Sequence, residues 1–308
     1  MKQYNLLPIV AGILSAGIVG FSFLFLKNIV SETSPLAILS YRFTIAFIVM
    51  TAFILLKVIR VDFRHKPVLP LILFSIVQPV LSFSFQTYGM KYASSSEAGI
   101  ITALVPIFVM LFAAILLKES TTTIQKASIL LSVGGVSYIT VMKGVDGEAN
   151  MLGIILIFLS VVSMAFYTVL AKKFSKQFSP IELTYAMMGM GMIMFNLVLF
   201  VSPEKADFTV LLKTNFILPM LYLAILSSVV TSFLSNYMVS RMKASQSVVF
   251  MNLSTIVSIL AGVFILHETF YTYHLIGTIM IIIGVVGANI KGINIPKQMT
   301  QKSTVIHD

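Results

Sequence analysis

The chain has 308 residues, 58% of them hydrophobic and only 10% charged, with a formal net charge of +10. Soluble domains run at roughly 45–50% apolar and about 25% charged, so this composition excludes a water-soluble globular fold and calls for a bilayer. The chain has no cysteine, which excludes disulfides, thiolate metal sites, thiol nucleophiles and haem or iron–sulfur ligation through sulfur.

In chain order, ten long apolar stretches stand out, at about 6–26, 36–56, 68–90, 98–117, 124–142, 151–171, 181–201, 216–238, 246–266 and 275–290. Each approaches the roughly 20 residues that a spanning helix needs. The expected fold is an all-α membrane protein of ten transmembrane helices. The first stretch follows Lys2 and holds Ser15-Ala16-Gly17, as a secretory signal does, but it is too long for a signal core and nine more follow. Ser34-Pro35, Lys66-Pro67, Ser179-Pro180 and Ser202-Pro203 mark helix boundaries. His65, His267, His274 and His307 fall in connections or the tail, so imidazole chemistry within the membrane is not expected. After Asn289 the tail is polar, with Lys291, Lys297, Lys302 and Asp308.

Basic residues are scattered singly or in small groups, without the aromatic-interleaved stripe that grips phosphates. Nucleic acid is therefore not an expected partner, and the positive charge reads as topology. With the N-terminus inside, the cytoplasmic side holds Lys2, Lys57, Arg60, Arg64, Lys66, Lys118, Lys126, Lys172, Lys173, Lys176, Arg241, Lys243, Lys291, Lys297 and Lys302, 15 in all. The other side holds 6: Lys27, Arg42, Lys91, Lys143, Lys205 and Lys213. By the positive-inside rule both termini are cytoplasmic, in a multi-pass protein of the cell membrane. Arg42 and Lys91 are assigned to helix ends.

The two halves repeat. An offset of 149 pairs Pro70 with Pro219, Tyr88 with Tyr237, Ser96 with Ser245, Leu104 with Leu253, Ile107 with Ile256, Leu117 with Leu266, Glu119 with Glu268, Thr123 with Thr272 and Gly135 with Gly284. An offset of 145 pairs Ser15 with Ser160, Phe21 with Phe166, Lys27 with Lys172 and Ser34-Pro35 with Ser179-Pro180. The expected units are 1–145 (spans one to five), 146–290 (spans six to ten) and a polar tail, 291–308. Five spans per unit is odd, so the second unit enters from the opposite side, giving two inverted repeats about an axis in the membrane plane. Such halves can exchange unlike conformations, which opens a central site to either side in turn.

Polar groups inside hydrocarbon are costly and are expected to face a cavity or another helix. Gln78, Ser82 and Gln86 share one face of the third span, and Ser227, Thr231 and Ser235 occupy the equivalent places on the eighth. Ser15 and Ser22 on the first span, Ser160, Ser163 and Tyr167 on the sixth, Thr102 on the fourth and Asn252 on the ninth complete the candidate cavity. A lone serine more often bonds back to its own helix or joins helices. Gln78, Gln86, Asn236 and Asn252 are stronger candidates, because an amide has more bonds to satisfy. Tyr88 and Tyr237, near span ends, are candidate gate or interface residues.

No charged side chain is expected in the middle third of any span, which disfavours strongly anionic substrates and favours neutral, zwitterionic or amphiphilic small molecules. The run Met187-Met188-Gly189-Met190-Gly191-Met192 reads as close helix packing rather than an adaptable ligand surface. Gly284 and Ala288 form a small-residue pair suited equally to packing within one bundle and to a homodimer. Glu119 and Glu268 end the fourth and ninth spans, each expected beside the positive N-terminus of the next helix, and Thr122 to Gln125 reads as a capping box for the fifth.

The pattern of Leu116-Leu117-Lys118-Glu119 and Ile265-Leu266-His267-Glu268, with Tyr41-Arg42-Phe43 at the start of the second helix and Pro106 before the first glutamate, resembles the EamA family of the drug/metabolite transporter superfamily. The resemblance covers roughly residues 6–290. It implies an inner-membrane carrier of small metabolites, often an exporter, with ten helices around a central cavity and no prosthetic group. The repeat equivalent of Pro106 is Thr255, so that motif occurs once. A sugar-phosphate or nucleotide-sugar exchanger of the same superfamily would need Lys or Arg in the central site, where none is expected. A membrane enzyme would need a nucleophile with a base or a metal cluster, and no His or Cys is expected within the spans. Nothing reads as the carbonyl filter loop of a channel.

Overall fold

Serine and proline set the helix starts. The Ser34 hydroxyl accepts a hydrogen bond from the Ala37 amide at 3.2 Å with Pro35 in the first turn, where the missing N–H leaves no helix bond unmade. Ser179 and Glu182 form a capping box around Pro180. The expected box at Thr122 and Gln125 is present, with reciprocal bonds of 3.1 and 3.2 Å.

The computed structural model describes residues 6–30, 32–64, 66–92, 101–102, 104–143, 151–203, 207–265 and 270–289. Among them all regular structure is helical. In order these are α1 (Leu7–Ile29), α2 (Pro35–Leu55), α3 (Val68–Ser75), the π segment Ile76–Leu81, α4 (Ser82–Tyr92), α5 (Val105–Leu117), α6 (Thr123–Lys143), α7 (Met151–Phe174) and α8 (Pro180–Val201). There follow a 3-10 turn (Phe208–Leu212), α9 (Thr214–Leu221), the π segment Tyr222–Val230, α10 (Thr231–Arg241), α11 (Ala244–Ser247), a 3-10 turn (Val248–Asn252), α12 (Leu253–Ile265) and α13 (Thr272–Asn289). Six helical runs are long and apolar enough to cross a membrane: Pro35–Leu55, Leu69–Tyr92, Met151–Phe174, Pro180–Val201, Thr214–Arg241 and Thr272–Asn289. Leu7–Ser22, Val105–Leu117 and Ala244–Val257 are shorter apolar helices. Large apolar side chains such as Phe200, Phe264, Leu197 and Ile193 point outward, a surface suited to lipid rather than water.

Helix neighbours obey the repeat. α1 packs on α10 and α12 of the second half, and α7 packs on α4 and α5 of the first. α2 lies on α8, and each also touches the π segment of the opposite half; α6 lies on α13. Exchanging each helix for its repeat partner returns the same set of neighbours, as a two-fold relation between repeats requires. The α6–α13 contact is closest at glycine: a Cβ on Gly284 would lie 2.6 Å from the Ser128 carbonyl oxygen, and one on Gly277 2.8 Å from that of Gly135. Gly284 and Ala288 are both buried within this one chain, serving packing inside the bundle. His274, expected in a connection, is 8% exposed and belongs to α13.

Between α8 and α9, Asp207 caps the 3-10 turn, its carboxyl held below the usual range by hydrogen bonds from the Thr209 hydroxyl and amide.

Candidate functional site

The third and eighth stretches each carry a π segment, 76–81 in one and 222–230 in the other, but only the first is broken, by a non-helical residue at Gln78; by the 149 offset the first segment maps to 225–230, inside the second. The causes are local. Pro79 lacks the N–H that would continue the helix and disfavours helical geometry at the residue before it. Gln78 accordingly has φ −143° and ψ 123°. In the second half Pro219 sits inside α9, immediately upstream of the wider turn. Gln78, Ser82 and Gln86 therefore do not share one face of a single helix as expected; the extended residue rotates Gln78 away from the register of the other two.

Gln78 is 7% exposed, and its side-chain oxygen Oε1 has no hydrogen-bond partner. A buried acceptor without a donor costs roughly 1–3 kcal/mol, which a bound donor would recover; the Tyr41 and Ser75 hydroxyls and the Asn289 side-chain oxygen are likewise buried without a partner. The repeat equivalent of Gln78, Ser227, is occupied: the Arg42 guanidinium donates from Nη2 to Ser227 Oγ at 3.1 Å and from Nε to Ser228 Oγ at 2.6 Å. The Arg42 Cζ atom also lies 4.8 Å from the centre of the Phe83 ring. Arg42 is 5% exposed and is the eighth residue of α2, about 10 Å along the helix from its first residue. One expectation fails here: Arg42 is not at a helix end but buried a third of the way along α2. The Tyr41-Arg42-Phe43 signal was visible in the sequence, but the depth of its guanidinium was not.

Phe43 and Pro79 both border Gly191 on α8, where an added Cβ would lie 2.6 Å from the ring and 2.8 Å from the proline. That contact puts the residues preceding them, Arg42 and Gln78, at the same level of the bundle. Met187, the repeat equivalent of Arg42 by the 145 offset, is fully buried, as is Met188 beside it, in keeping with a packing role for the methionine run.

The remaining candidates divide by partner. Ser82 and Ser160 satisfy one another across α4 and α7: Ser160 donates to the Ser82 carbonyl at 2.9 Å and Ser82 to that of Ser160 at 3.5 Å. Ser22 and Thr231 bond back to Val19 and Leu226 in their own helices. Tyr167 donates to Asn236 Oδ1 at 2.8 Å, and the Asn236 amide donates to Thr184 at 3.1 Å. Asn252 donates to Ser132 at 2.9 Å. Ser15 is buried, while Gln86, Thr102, Ser163 and Ser235 are half-buried. Tyr88 is half-buried on α4; Tyr237 stacks on Phe233 and lies under Arg241. Glu119 accepts from the Ala244 amide at 3.2 Å and from the Ser245 hydroxyl at 3.4 Å. It thus caps α11 of the opposite half rather than the next helix, because the bundle brings that N-terminus closer. Glu268 lies outside the described residues.

Sequence reasoning also overlooked Glu182, which accepts from Lys66 Nζ at 2.6 Å and from the Asp62 amide at 3.2 Å, joining the loop after α2 to the start of α8. No group of His, Cys, Asp or Glu that could hold a metal occurs among the described residues.

Known proteins share this arrangement. The EamA-like transporter family matches the chain twice, at residues 6–141 and 151–290. The chain belongs to that family. "Uncharacterized transporter YcxC" of Bacillus subtilis (strain 168) is 46% identical over 287 residues, which cover 91% of this chain and 92% of that protein. An "Uncharacterized transporter" of Archaeoglobus fulgidus is 30% identical over 269 residues, covering 86% of this chain and 92% of the relative. A solved crystal structure superposes with a TM-score of 0.78 at 18% identity, over 92% of this chain and 96% of the other. That likeness concerns the fold. As an EamA-like protein the chain is a multi-pass membrane transporter, and its two family matches coincide with the halves whose helices exchange.

Proposed function

We propose that this EamA-like transporter spans the cell membrane ten times with both termini in the cytoplasm, and exports small metabolites by alternating access. The observation that carries the reading is the pair of π segments at equivalent places in the two repeats, the first of them broken at Gln78, whose side-chain oxygen is unpartnered. Broken helices at a repeat interface free backbone polar groups for a ligand, and they let a half bend about its interruption. Polar side chains spent on other helices, such as Ser82 with Ser160, hold the frame in which those segments move. Export is assigned on the family resemblance.

The chain has no cysteine, so single cysteines can report access without a background. Gln86 and Ser235 are repeat equivalents beyond the two π segments and, in the proposed topology, lie toward opposite faces of the membrane. Gln86→Cys and Ser235→Cys, labelled in vesicles with an impermeant maleimide, should respond reciprocally to substrate: what exposes one protects the other. Parallel changes at both positions would overturn the mechanism. Substrate class is read from a thermal-shift screen of amino acids, purines, sugars, their phosphates and cationic amphiphiles. A ligand of the folded state raises the midpoint with concentration, and Gln78→Ala should abolish that response.

A further inference from the structure

We propose that Arg42 is the anchor for a carboxylate on the transported molecule, a small monoanion with an apolar or aromatic body. The inference rests on the carrier reading above and names the ligand chemistry of its central site. Among the described residues Arg42 has no acidic partner; its two bonds go to the neutral hydroxyls of Ser227 and Ser228. A buried cation paired only with neutral groups is an expensive arrangement inside hydrocarbon. The repeat shows that the fold does not require it, because the equivalent position holds Met187 in the same kind of helix contact.

The surroundings select the anion. A guanidinium presents a planar fork that matches a carboxylate in two parallel hydrogen bonds. One cation balances one carboxylate, whereas a phosphate dianion would leave a net charge in the membrane interior. Beside the guanidinium lies the half-buried Phe83 ring, backed by the buried Phe43 edge-on at 5.5 Å and by Phe195 stacked on Phe43 at 5.3 Å. The acid group would thus be neutralised while its apolar body lies against the Phe83 ring. In the conformation described, Ser227 and Ser228 hold the guanidinium closed. A carboxylate arriving on Arg42 competes with those two hydroxyls and loosens the tie between α2 and the π segment of the second half.

The test uses the detergent-purified full chain and three probes of one shape, benzoate, phenyl phosphate and the neutral benzamide, read by thermal midpoint and titration calorimetry. Benzoate should raise the midpoint with concentration and benzamide should not, and Arg42→Gln should bind benzoate at least about tenfold more weakly, since the charged two-bond fork is lost. Removing both competing hydroxyls with Ser227→Ala and Ser228→Ala should tighten benzoate binding. A purely structural tie would instead lower the midpoint and leave ligand response alone, so this variant decides the matter even where Arg42→Gln fails to fold. Equal responses to benzoate and benzamide, or no response to benzoate, would overturn the anion site. A response to phenyl phosphate alone would overturn the carboxylate assignment. Reciprocal cysteine labelling without benzoate binding defeats this inference and keeps the alternating-access reading; benzoate binding with parallel labelling keeps the anion site and defeats alternating access.

Discussion

The third and eighth spans both carry a π segment and differ in whether it is broken and in what their side chains meet there. In the first half the break is made by Pro79, and the extended residue before it buries an amide oxygen with no donor. In the second half no proline stands at the equivalent place; two serines do, and both are taken by a cation from the other repeat. One π segment thus holds an unpartnered amide oxygen, and the other is tied to the opposite repeat. In the proposed alternating-access cycle, that asymmetry would let near-symmetric halves favour one conformation at a time, since identical locks on both sides would give neither state an advantage.

The comparison can be broken most severely at Gly191, whose missing side chain admits Phe43 and Pro79. Gly191→Val should overpack the first π segment and cost about 3 kcal/mol, read as a lowered thermal midpoint; the equivalent change Ala46→Val on α2 tests whether the second π segment is as tightly packed. Asn236→Leu comes next. It removes a buried amide that serves Tyr167 and Thr184, leaving the Tyr167 phenol without its acceptor at a cost of about 2 kcal/mol while Thr184 keeps its bond to the Pro180 carbonyl, and Asn236→Asp should recover part of the midpoint if the Tyr167 bond dominates. Pro79→Ala lets Gln78 rejoin the helix, so amide exchange over 78–82 should slow while substrate turnover falls on the order of tenfold, or about 1.4 kcal/mol of barrier. Pro219→Ala should do less, since the second π segment extends well beyond its proline. The smallest effect is expected of Ser160→Ala, which removes a tie between α4 and α7 and should cost about 0.6 kcal/mol; a large loss of transport from it would place that serine pair in the site after all.

Much of the frame was legible before any coordinates. Helix starts at Pro35 and Pro180, the Thr122–Gln125 box and the pairing of halves depend on local chemistry and repetition, and they recur in the structure. The site was legible only in part. Ser22 and Thr231 turned to their own helices, and the four-residue spacing of Gln78, Ser82 and Gln86 misled because it assumed a helix that Pro79 interrupts. That proline was present to be read, and its effect on the residue before it is a local rule.

What the sequence by itself determined is the class of environment and the repeat, because apolar length and internal similarity survive without knowing which helix touches which. Only the tertiary structure decided that Glu119 caps α11, that Glu182 ties α8 to the preceding loop, and that Arg42 is buried against Ser227 and Ser228. The physical reason is distance along the chain: Arg42 and its serines are separated by 185 and 186 residues. A contact of that span follows from how helices pack around an axis, not from the residues on either side.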